Sequence, residues 1–444
     1  MIKKKKTNRP ELLVPAGNLE KLKLGLLYGA DAFYLGLPSF SMRSRINNFT
    51  DESLAEGVDL IRKAGKVFYL TMNIYPRGNK IDAFKKHIGF VREKIKPDAI
   101  IVADPGVFEL VKEYCPECVL HMSVQANVLN YRAVEFWRKQ GAKRIILPRE
   151  LMLPEIKEIH KNVPDIELEF FVHGAICMAY SGRCLLSNYM TGRDSNQGIC
   201  AHSCRWEYKV HDKESMVKKN QSLMEKFKNS DDEEIFLEEK ERPNEFMPVD
   251  EDEHGTYFMN SKDMCLLPYL KDLAEAGICS FKVEGRNKSE HYLSTVTKTY
   301  RCAIDDFVSG KDFNESLLWE LGKTANRGFI PGYLFGFPGA NDIDYNDTSS
   351  LSHQSARFAG MIKGRVQKGI YHVSVRNCLE KGAEVEIMTP TGDIIGKIEG
   401  IFDLESNEVD AAHGGAGDRL LKISSVKEIP NYSMLRIKGT PATR

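Results

Sequence analysis

Four cysteines lie close together in a segment of the chain that is rich in Gly and Ser. They are Cys177, Cys184, Cys200 and Cys204, spaced C-x6-C-x15-C-x3-C. Four thiolates in one loop can bind a tetrahedral zinc ion or an iron–sulfur cluster. Structural zinc sites usually place two residues between paired cysteines, and neither pair has that spacing here. The spacing alone leaves a cluster, zinc and unligated thiols open.

Polar side chains follow the ends of several short apolar segments that have the composition of strands. In α/β barrels the reactive site lies at the carboxyl ends of the strands, so these side chains are predicted to share one cavity. The predicted catalytic residues are Arg149, Glu150, His173, Glu284 and Arg286. The predicted substrate-binding residues are Arg43, Arg45, Asn73, Ser123, Gln125, Asn127 and Lys282.

Two of the predicted strands carry polar residues at alternate positions, which point to the same side of a strand. One strand contains His121, Ser123, Gln125 and Asn127, and the other contains Lys282, Glu284 and Arg286. The arginines of the site suit carboxylate or phosphate groups, because a guanidinium can donate two parallel hydrogen bonds. The sequence therefore favours an anionic ligand.

Strand-like and helix-like segments alternate from residue 11 to about residue 310, which predicts βαβ units and a parallel sheet. Eight such units would close a TIM-barrel-like (βα) barrel, and nine candidate strands are present, so one of them is predicted to be an addition or a misreading. After about residue 350, short alternating strands with Gly-rich turns predict a small C-terminal all-β barrel.

The predicted division of the chain has a basic tail at 1–10 and a barrel domain at 11–325, followed by a linker at 326–350 and the β-barrel at 351–444. The barrel domain includes the cysteine-rich loop (173–206) and an acidic insertion (about 211–255). The insertion has 15 acidic and seven basic residues, a net charge of 7 − 15 = −8, and is predicted to be solvated without a packed face. Because the whole chain is neutral, the remainder carries +8, which permits RNA binding.

Composition and the N-terminus predict a cytoplasmic protein with no membrane partner. The 444 residues contain no apolar run of membrane-spanning length, and "MIKKKKTNRP" lacks the apolar part of a signal peptide. Ten cysteines are too few for a disulfide scaffold, and the cytosol is reducing. Cys118, Cys265, Cys279, Cys302 and Cys378 are predicted to be ordinary thiols, buried or partly buried.

The segment "ELEFFVHGAICMAYSGRCLLSNYMTGRDSNQGICAHSCRWEY" resembles the signature of the collagenase-like peptidase family of unassigned catalytic type, peptidase family U32. "ELLVPAG", "GADAFYLG", "SVQANVLN" and "FKVEGRNKSEHYLSTVTKTYRCAIDD" match the same family in order. The all-β tail is similar to the family's C-terminal domain. The resemblance covers nearly the whole chain.

This resemblance implies a 4Fe–4S cluster held by Cys177, Cys184, Cys200 and Cys204. Branches of the family act on the wobble uridine of tRNA, on ribosomal RNA or on a ubiquinone precursor. The single barrel with its β tail and the stretch "RPNEFMPVDEDEHGTYFMNSKD" looks most like the tRNA branch. That branch makes 5-hydroxyuridine in the anticodon region, with prephenate as the oxygen source. The expected partners are therefore tRNA and a prephenate-like dicarboxylate.

Three alternatives remain open at this point. The family name implies a peptidase, although the chain has neither a His-Glu-x-x-His nor a Gly-x-Ser-x-Gly motif. Hydroxylation of ribosomal RNA is a second alternative. The third is a zinc-structured RNA-binding protein without catalysis.

Overall fold

Eight parallel strands form a closed barrel. They are β1 (Glu11–Pro15), β2 (Ala32–Gly36), β3 (Val67–Met72), β4 (Ala99–Val102), β5 (Leu120–Met122), β6 (Arg144–Ile146), β7 (Glu167–Ala175) and β15 (Ile278–Val283). Neighbours pair in chain order from β1 to β7, and β15 closes the barrel by pairing with both β1 and β7. The predicted TIM-barrel-like fold is confirmed.

The computed structural model describes most of both barrels and part of the segments between their strands. The described residues are 9–37, 40, 49–76, 78–175, 179–180, 183–184, 208–212, 235–239, 246–252, 255–258, 262–286, 288–336, 354–415, 417–425 and 427–438.

Helices cover the outside of the parallel barrel. They are α1 (Leu19–Leu27), α2 (Asp51–Lys63), α3 (Ile81–Phe90), α4 (Pro105–Tyr114), α5 (Tyr131–Gln140), α6 (Leu153–Asn162), α7 (Leu270–Glu275), α8 (Glu290–Val308) and α9 (Ser316–Leu321). Asn18 and Asn130 begin α1 and α5 by accepting hydrogen bonds from backbone amides three residues later, at 2.8 and 3.0 Å. None of the described helices combines the length and the apolar composition that a bilayer-spanning segment needs.

The acidic insertion contains a small antiparallel sheet. Its four strands are β10 (Tyr208–Asp212), β11 (Ile235–Glu239), β12 (Phe246–Asp252) and β13 (Gly255–Phe258). One of the nine candidate strands, "TYFMNS", begins within β13, which belongs to this sheet, so it is an added strand outside the parallel barrel. The expectation of an insertion without a packed face is wrong for these strands, because Phe236 is buried and His211 Nε2 lies 2.8 Å from the Glu238 carboxylate. The sequence did not indicate these strands, because their alternating apolar residues are few and the surrounding segment is highly charged.

Short strands lengthen the sheet at the rim of the parallel barrel. β8 (Ala179–Tyr180) and β9 (Arg183–Cys184) form a hairpin just beyond β7. β14 (Asp263–Cys265) pairs antiparallel with the end of β7, and β16 (Phe329–Ile330) pairs parallel with β14. The first residues of the predicted linker at 326–350 thus join this sheet.

Six antiparallel strands close into a second, smaller barrel, as predicted. They are β17 (Ala356–Gln367), β18 (Ile370–Val375), β20 (Glu384–Thr389), β21 (Gly392–Phe402), β23 (Asp418–Ser425) and β24 (Met434–Lys438). β19 (Leu379–Glu380) and β22 (Ala411–Ala412) form a separate pair. Alternate residues such as Val373, Ile387, Ile398, Leu421 and Leu435 fill the interior and are fully buried.

The two barrels meet around the side chain of Arg436, which is 0% exposed. Its guanidinium donates to Glu320 at 2.5 Å and Glu386 at 2.9 Å, and its Nε donates to His291 Nε2 at 2.8 Å. Burial lowers the pKa of His291 to about 3, so the imidazole is neutral and can accept this bond. Tyr28 adds hydrogen bonds from α1 to two carbonyls of the smaller barrel.

We expect Arg436→Met to lower the free energy of unfolding by about 2–4 kcal/mol, because the substitution removes a fully buried cation from Glu320 and Glu386, which keep only Lys323, and leaves His291 without its donor. Denaturant titration of the purified full chain measures this. Arg365→Met is the matched control, since Arg365 pairs with Glu428 on the surface and should contribute less than about 1 kcal/mol. Equal losses for the two variants would contradict a junction that depends on Arg436.

Candidate functional site

The parallel barrel contains a network of charged side chains, most of which are buried. The Glu169 carboxylate on β7 is 0% exposed, and it accepts hydrogen bonds from Lys282 at 2.6 Å and from Arg144 at 3.0 Å. Arg144 also donates to Glu11 at 2.8 Å and to Glu167 at 2.7 Å. Burial lowers the pKa of Lys282, and the contact with Glu169 opposes this effect. Four strands, β1, β6, β7 and β15, thus share one charged network.

Sequence reasoning missed Glu169, Arg144 and Glu11. A signal was present in β7, where Glu167 and Glu169 alternate with apolar residues. Polar residues at every second position indicate a polar interior in a strand that has helices on its outer face.

Three of the predicted site residues meet around two aromatic rings. The Lys282 ammonium lies 4.5 Å from the centroid of the Tyr34 ring and 5.3 Å from that of Phe171. The Arg286 guanidinium lies 5.0 Å from the Tyr34 centroid, and that of Arg149 lies 4.0 Å from the Phe171 centroid. Cations at these distances from ring faces are attracted to them. The structure therefore brings Lys282, Arg149 and Arg286 together.

Arg286 is held in place from the neighbouring strands. Its Nη2 donates to Thr71 Oγ1 at 2.7 Å, and Thr71 in turn donates to the Leu35 carbonyl at 3.0 Å. Tyr34 donates to the Val283 carbonyl at 2.8 Å, which fixes the ring under the guanidinium. Arg286 is only 5% exposed, so its orientation is set before any ligand binds.

The strand that carries Lys282 is shorter than predicted. β15 ends at Val283, so Glu284 and Arg286 lie in the turn that follows and not on one strand face. The turn requires Gly285, whose φ is +139° and where a Cβ atom would lie 2.5 Å from the Tyr292 ring. Glu284 is buried, and its carbonyl accepts a hydrogen bond from Tyr292.

The alternation predicted for residues 121–127 is wrong. β5 ends at Met122, residues Val124–Ala126 form a 3-10 turn that Ser123 caps, and Asn127 has a left-handed φ of 51°. Ser and Asn favour such turns because their side chains bond nearby backbone amides.

The turn nevertheless brings three predicted residues together. Asn73 donates to Gln125 Oε1 at 2.6 Å, and Ser123 donates to the same oxygen at 2.7 Å. Tyr75, whose ring is exposed, donates to the Gln125 carbonyl at 2.6 Å. Arg149 and Glu150 follow β6 at the same end of the barrel and are both half-buried.

His173 lies apart from these cations. The pairing of β7 with β15 shifts by one residue, so that Lys282 pairs with Phe171 and Val283 pairs with His173. This bulge turns His173 to the outer face of the barrel, where its Nδ1 is 3.3 Å from the Tyr300 hydroxyl. Burial lowers the pKa of His173 to about 3. Its imidazole is therefore neutral and does not reach the interior side of the strand.

Two sequence models match this chain along most of its length. Peptidase family U32 matches residues 17–344, and the peptidase family U32 C-terminal domain matches residues 354–436. The chain belongs to peptidase family U32.

Relatives within the U32 family carry two kinds of name. The chain is 42% identical over 443 residues to a Haemophilus influenzae protein named tRNA hydroxylation protein P, with 96% of each chain covered. It is 40% identical over 439 residues to the Escherichia coli protein of the same name, again with 96% of each chain covered. A Porphyromonas gingivalis protein named Collagenase is 29% identical over 415 residues, covering 90% of this chain and 91% of that one.

The cysteine loop of this U32 chain begins at the end of β7. Cys184 lies on the backbone of β9, which pairs with β8 so that Ala179 faces Cys184. Cys177, Cys200 and Cys204 lie outside the described residues, as do Arg43 and Arg45. The loop thus leaves the barrel from β7, the neighbour of β15. The turn that follows β15 carries Arg286.

Two cysteine predictions are wrong, because Cys302 is exposed and Cys118 is not a free thiol. Cys118 is joined to Cys115 by a disulfide at the end of α4, whereas Cys265, Cys279, Cys302 and Cys378 have free thiols. The sequence placed Cys115 and Cys118 with two residues between them, which is a spacing that a turn after a helix can bridge.

In the part of the chain that the structure describes, one cluster of three carboxylates is close enough to bind a metal ion. Its members are Glu320, Glu386 and Asp393. Arg436 and Lys323 already pair with its first two members, Lys323 at 2.6 Å from each. The group therefore belongs to the salt-bridge cluster between the barrels.

The buried histidine gives a pH prediction. Because the pKa of His173 is about 3 in the folded chain and about 6.5 in an unfolded one, the unfolded chain binds the extra proton below pH 6.5. Stability from this residue is thus complete above pH 6.5 and falls by about 1.4 kcal/mol per pH unit below it. Denaturant titrations at pH 7 and pH 5 measure this effect. From pH 7 to pH 5, the free energy of unfolding should fall by about 2 kcal/mol less in His173→Gln than in the wild type. The exposed His413→Gln should behave as the wild type; equal pH dependence in all three proteins would contradict a neutral His173.

Proposed function

We propose that this chain is a tRNA-modifying enzyme that hydroxylates a uridine of tRNA to 5-hydroxyuridine at the wobble position. The observation that carries the proposal is the identity of 42% and 40%, over 96% of each chain, to two proteins named for tRNA hydroxylation. Identity of this extent across both barrels supports a shared reaction on a shared class of substrate.

The cations at the barrel mouth support a dicarboxylate as the second substrate, with prephenate as the specific candidate. Arg149, Lys282 and Arg286 lie around the Tyr34 and Phe171 rings, and both Lys282 and Arg286 are buried. Charge-assisted hydrogen bonds to carboxylates are strong in such surroundings, and guanidinium groups bind carboxylates with two parallel bonds. The aromatic rings can pack against the apolar part of the same ligand.

The donor set of the cysteine loop fits a 4Fe–4S cluster. Cys177, Cys184, Cys200 and Cys204 would supply four thiolates, the usual ligands of such a cluster, and zinc is the alternative for the same set. A bound cluster supplies redox chemistry or an iron that polarises an oxygen. Residues of the chain would hold the dicarboxylate, the oxygen source, beside the cluster. The reason is that the cysteine loop and the Arg286 turn follow the neighbouring strands β7 and β15.

A uridine must leave its base stack to enter a barrel mouth. In the single-stranded anticodon loop this requires little free energy, which favours a tRNA substrate over a duplex. Tyr75 offers an exposed aromatic ring next to Gln125, on which an unstacked base could pack.

A peptidase is the second candidate, favoured by the relative named Collagenase. Among the described residues, the thiol next to a histidine along the sheet is Cys265, which pairs with His173 in the register of β14 and β7. Burial raises the pKa of the Cys265 thiol to about 11, and His173 is neutral with a pKa of about 3. This pair therefore does not form the thiolate–imidazolium couple that a cysteine peptidase needs.

Arg286→Ala should weaken binding of the dicarboxylate donor by about 2–5 kcal/mol, since it leaves a carboxylate without its partner. Arg286→Lys should recover only part of this, because an ammonium lacks the two parallel donors. The measurements are donor affinity of the purified protein and the 5-hydroxyuridine content of tRNA in a complemented deletion strain. Arg132→Ala, which removes a surface arginine of α5, is the control. Wild-type modification in Arg286→Ala would contradict this donor site.

Cys184→Ala should abolish both iron binding and hydroxyuridine formation. Cys378 has a free thiol in the smaller barrel, and Cys378→Ala should leave both properties intact. Anaerobically purified wild type should contain about four iron atoms per chain. Stoichiometric zinc without iron would refute the cluster.

Mass spectrometry of tRNA nucleosides from a deletion strain tests the function itself. Unchanged 5-hydroxyuridine would refute the hydroxylase and make peptide cleavage the next assay.

A further inference from the structure

Lys21 joins the first helix of the barrel to the turn that carries Arg286. It lies in the first turn of α1, where its backbone amide donates to the Asn18 side chain at 2.8 Å. Its ammonium donates to the carbonyl of Lys288 at 2.6 Å and to the carbonyl of Arg286 itself at 3.2 Å. Lys21 comes after β1 and the turn comes after β15, and these two strands pair in the barrel.

Other hydrogen bonds hold the two ends of this turn: Glu284 donates its amide to the His173 carbonyl and accepts from the Tyr292 hydroxyl, both at 2.9 Å. The Lys288 amide donates to the Gly285 carbonyl at 3.0 Å, and the Ser289 side chain caps α8. Gly285 has a positive φ, a conformation that a glycine adopts and leaves easily. The two hydrogen bonds from Lys21 therefore restrain the middle of the turn, at the carbonyls of Arg286 and Lys288.

Burial supports a specific role for this ammonium. Burial lowers the pKa of Lys21, and the nearby charge of Glu290 opposes the effect. Lys23, two residues further along α1, differs in this respect because it pairs with Glu56 at 2.7 Å near the surface. The two lysines thus form a natural comparison on one helix.

We propose that Lys21 is a positioning residue that holds the Arg286 turn in the orientation in which the guanidinium binds the carboxylate donor. This inference rests on the proposed function, in which Arg286 contacts that donor. The side chain of Arg286 is oriented by Thr71 and Tyr34, and its backbone is oriented by Lys21. Without the ammonium, the turn loses these two hydrogen bonds and can move relative to Thr71.

The test uses the purified, cluster-loaded full chain with tRNA and prephenate. Lys21→Met should raise the apparent KM for the donor about tenfold, since small displacements of a binding group weaken binding strongly, while kcat changes less than about threefold. Lys21→Gln, which keeps a shorter donor without charge, should be intermediate. Lys23→Met should match the wild type.

A double variant separates positioning through Arg286 from general loss of structure. If Lys21 acts through Arg286, Lys21→Met should add nothing to the KM of Arg286→Ala. Hydrogen exchange of the backbone at 284–289 gives a readout that needs no activity: it should be faster in Lys21→Met and unchanged in Lys23→Met. Lys21→Gln serves for both measurements if Lys21→Met does not fold.

The outcomes distinguish the two proposals. A wild type that forms no 5-hydroxyuridine refutes the proposed function, and the inference is refuted with it. An active wild type with unchanged KM in Lys21→Met and Lys21→Gln refutes the positioning role alone. Additive effects of Lys21→Met and Arg286→Ala, or unchanged exchange at 284–289, refute it as well.

Discussion

The site depends on one buried carboxylate, that of Glu169, which Lys282 and Arg144 share inside the parallel barrel. Charges removed from water are tolerated only when each is paired and hydrogen-bonded. Glu169 pairs with both buried cations, Lys282 and Arg144. Arg144 extends the network to Glu11 and Glu167. Lys282 is thereby fixed between the Tyr34 and Phe171 rings.

The strands that close the barrel also lead to the functional groups. β15 carries Lys282 and ends just before the Arg286 turn, while β7 carries Glu169 and Phe171 and leads toward the cysteine loop. Parallel strands end at the same edge of a barrel, so the two connections begin side by side. The bulge between them decides which side chains of β7 face inward: Phe171 contacts the cations, and His173 packs against α8.

The smaller barrel is joined to the helices that flank this mouth. α1 carries Lys21 near one end and Tyr28 just beyond the other, where the tyrosine bonds carbonyls of the smaller barrel. α8 begins after the Arg286 turn and carries His291 and Thr295, both of which accept hydrogen bonds from Arg436. The same two helices therefore contact both the candidate site and the C-terminal barrel.

The sequence by itself determined the alternation of strands and helices, the change to an all-β barrel, and the residue types at the strand ends. These features depend on periodicity and composition, which are local. It also indicated Lys282, Arg149 and Arg286 correctly as neighbours, because parallel strands end together.

Only the tertiary structure decided the rest. The bulge that turns His173 outward and the sheet within the acidic insertion depend on pairing with other strands. The bonds from Lys282 to Glu169 and from Lys21 to the Arg286 carbonyl join residues that are 113 and 265 positions apart. A pattern read along the chain gives the direction of a side chain within one regular strand, but it does not give the partner that folding brings opposite, and that partner sets the charge and orientation of each group in the site.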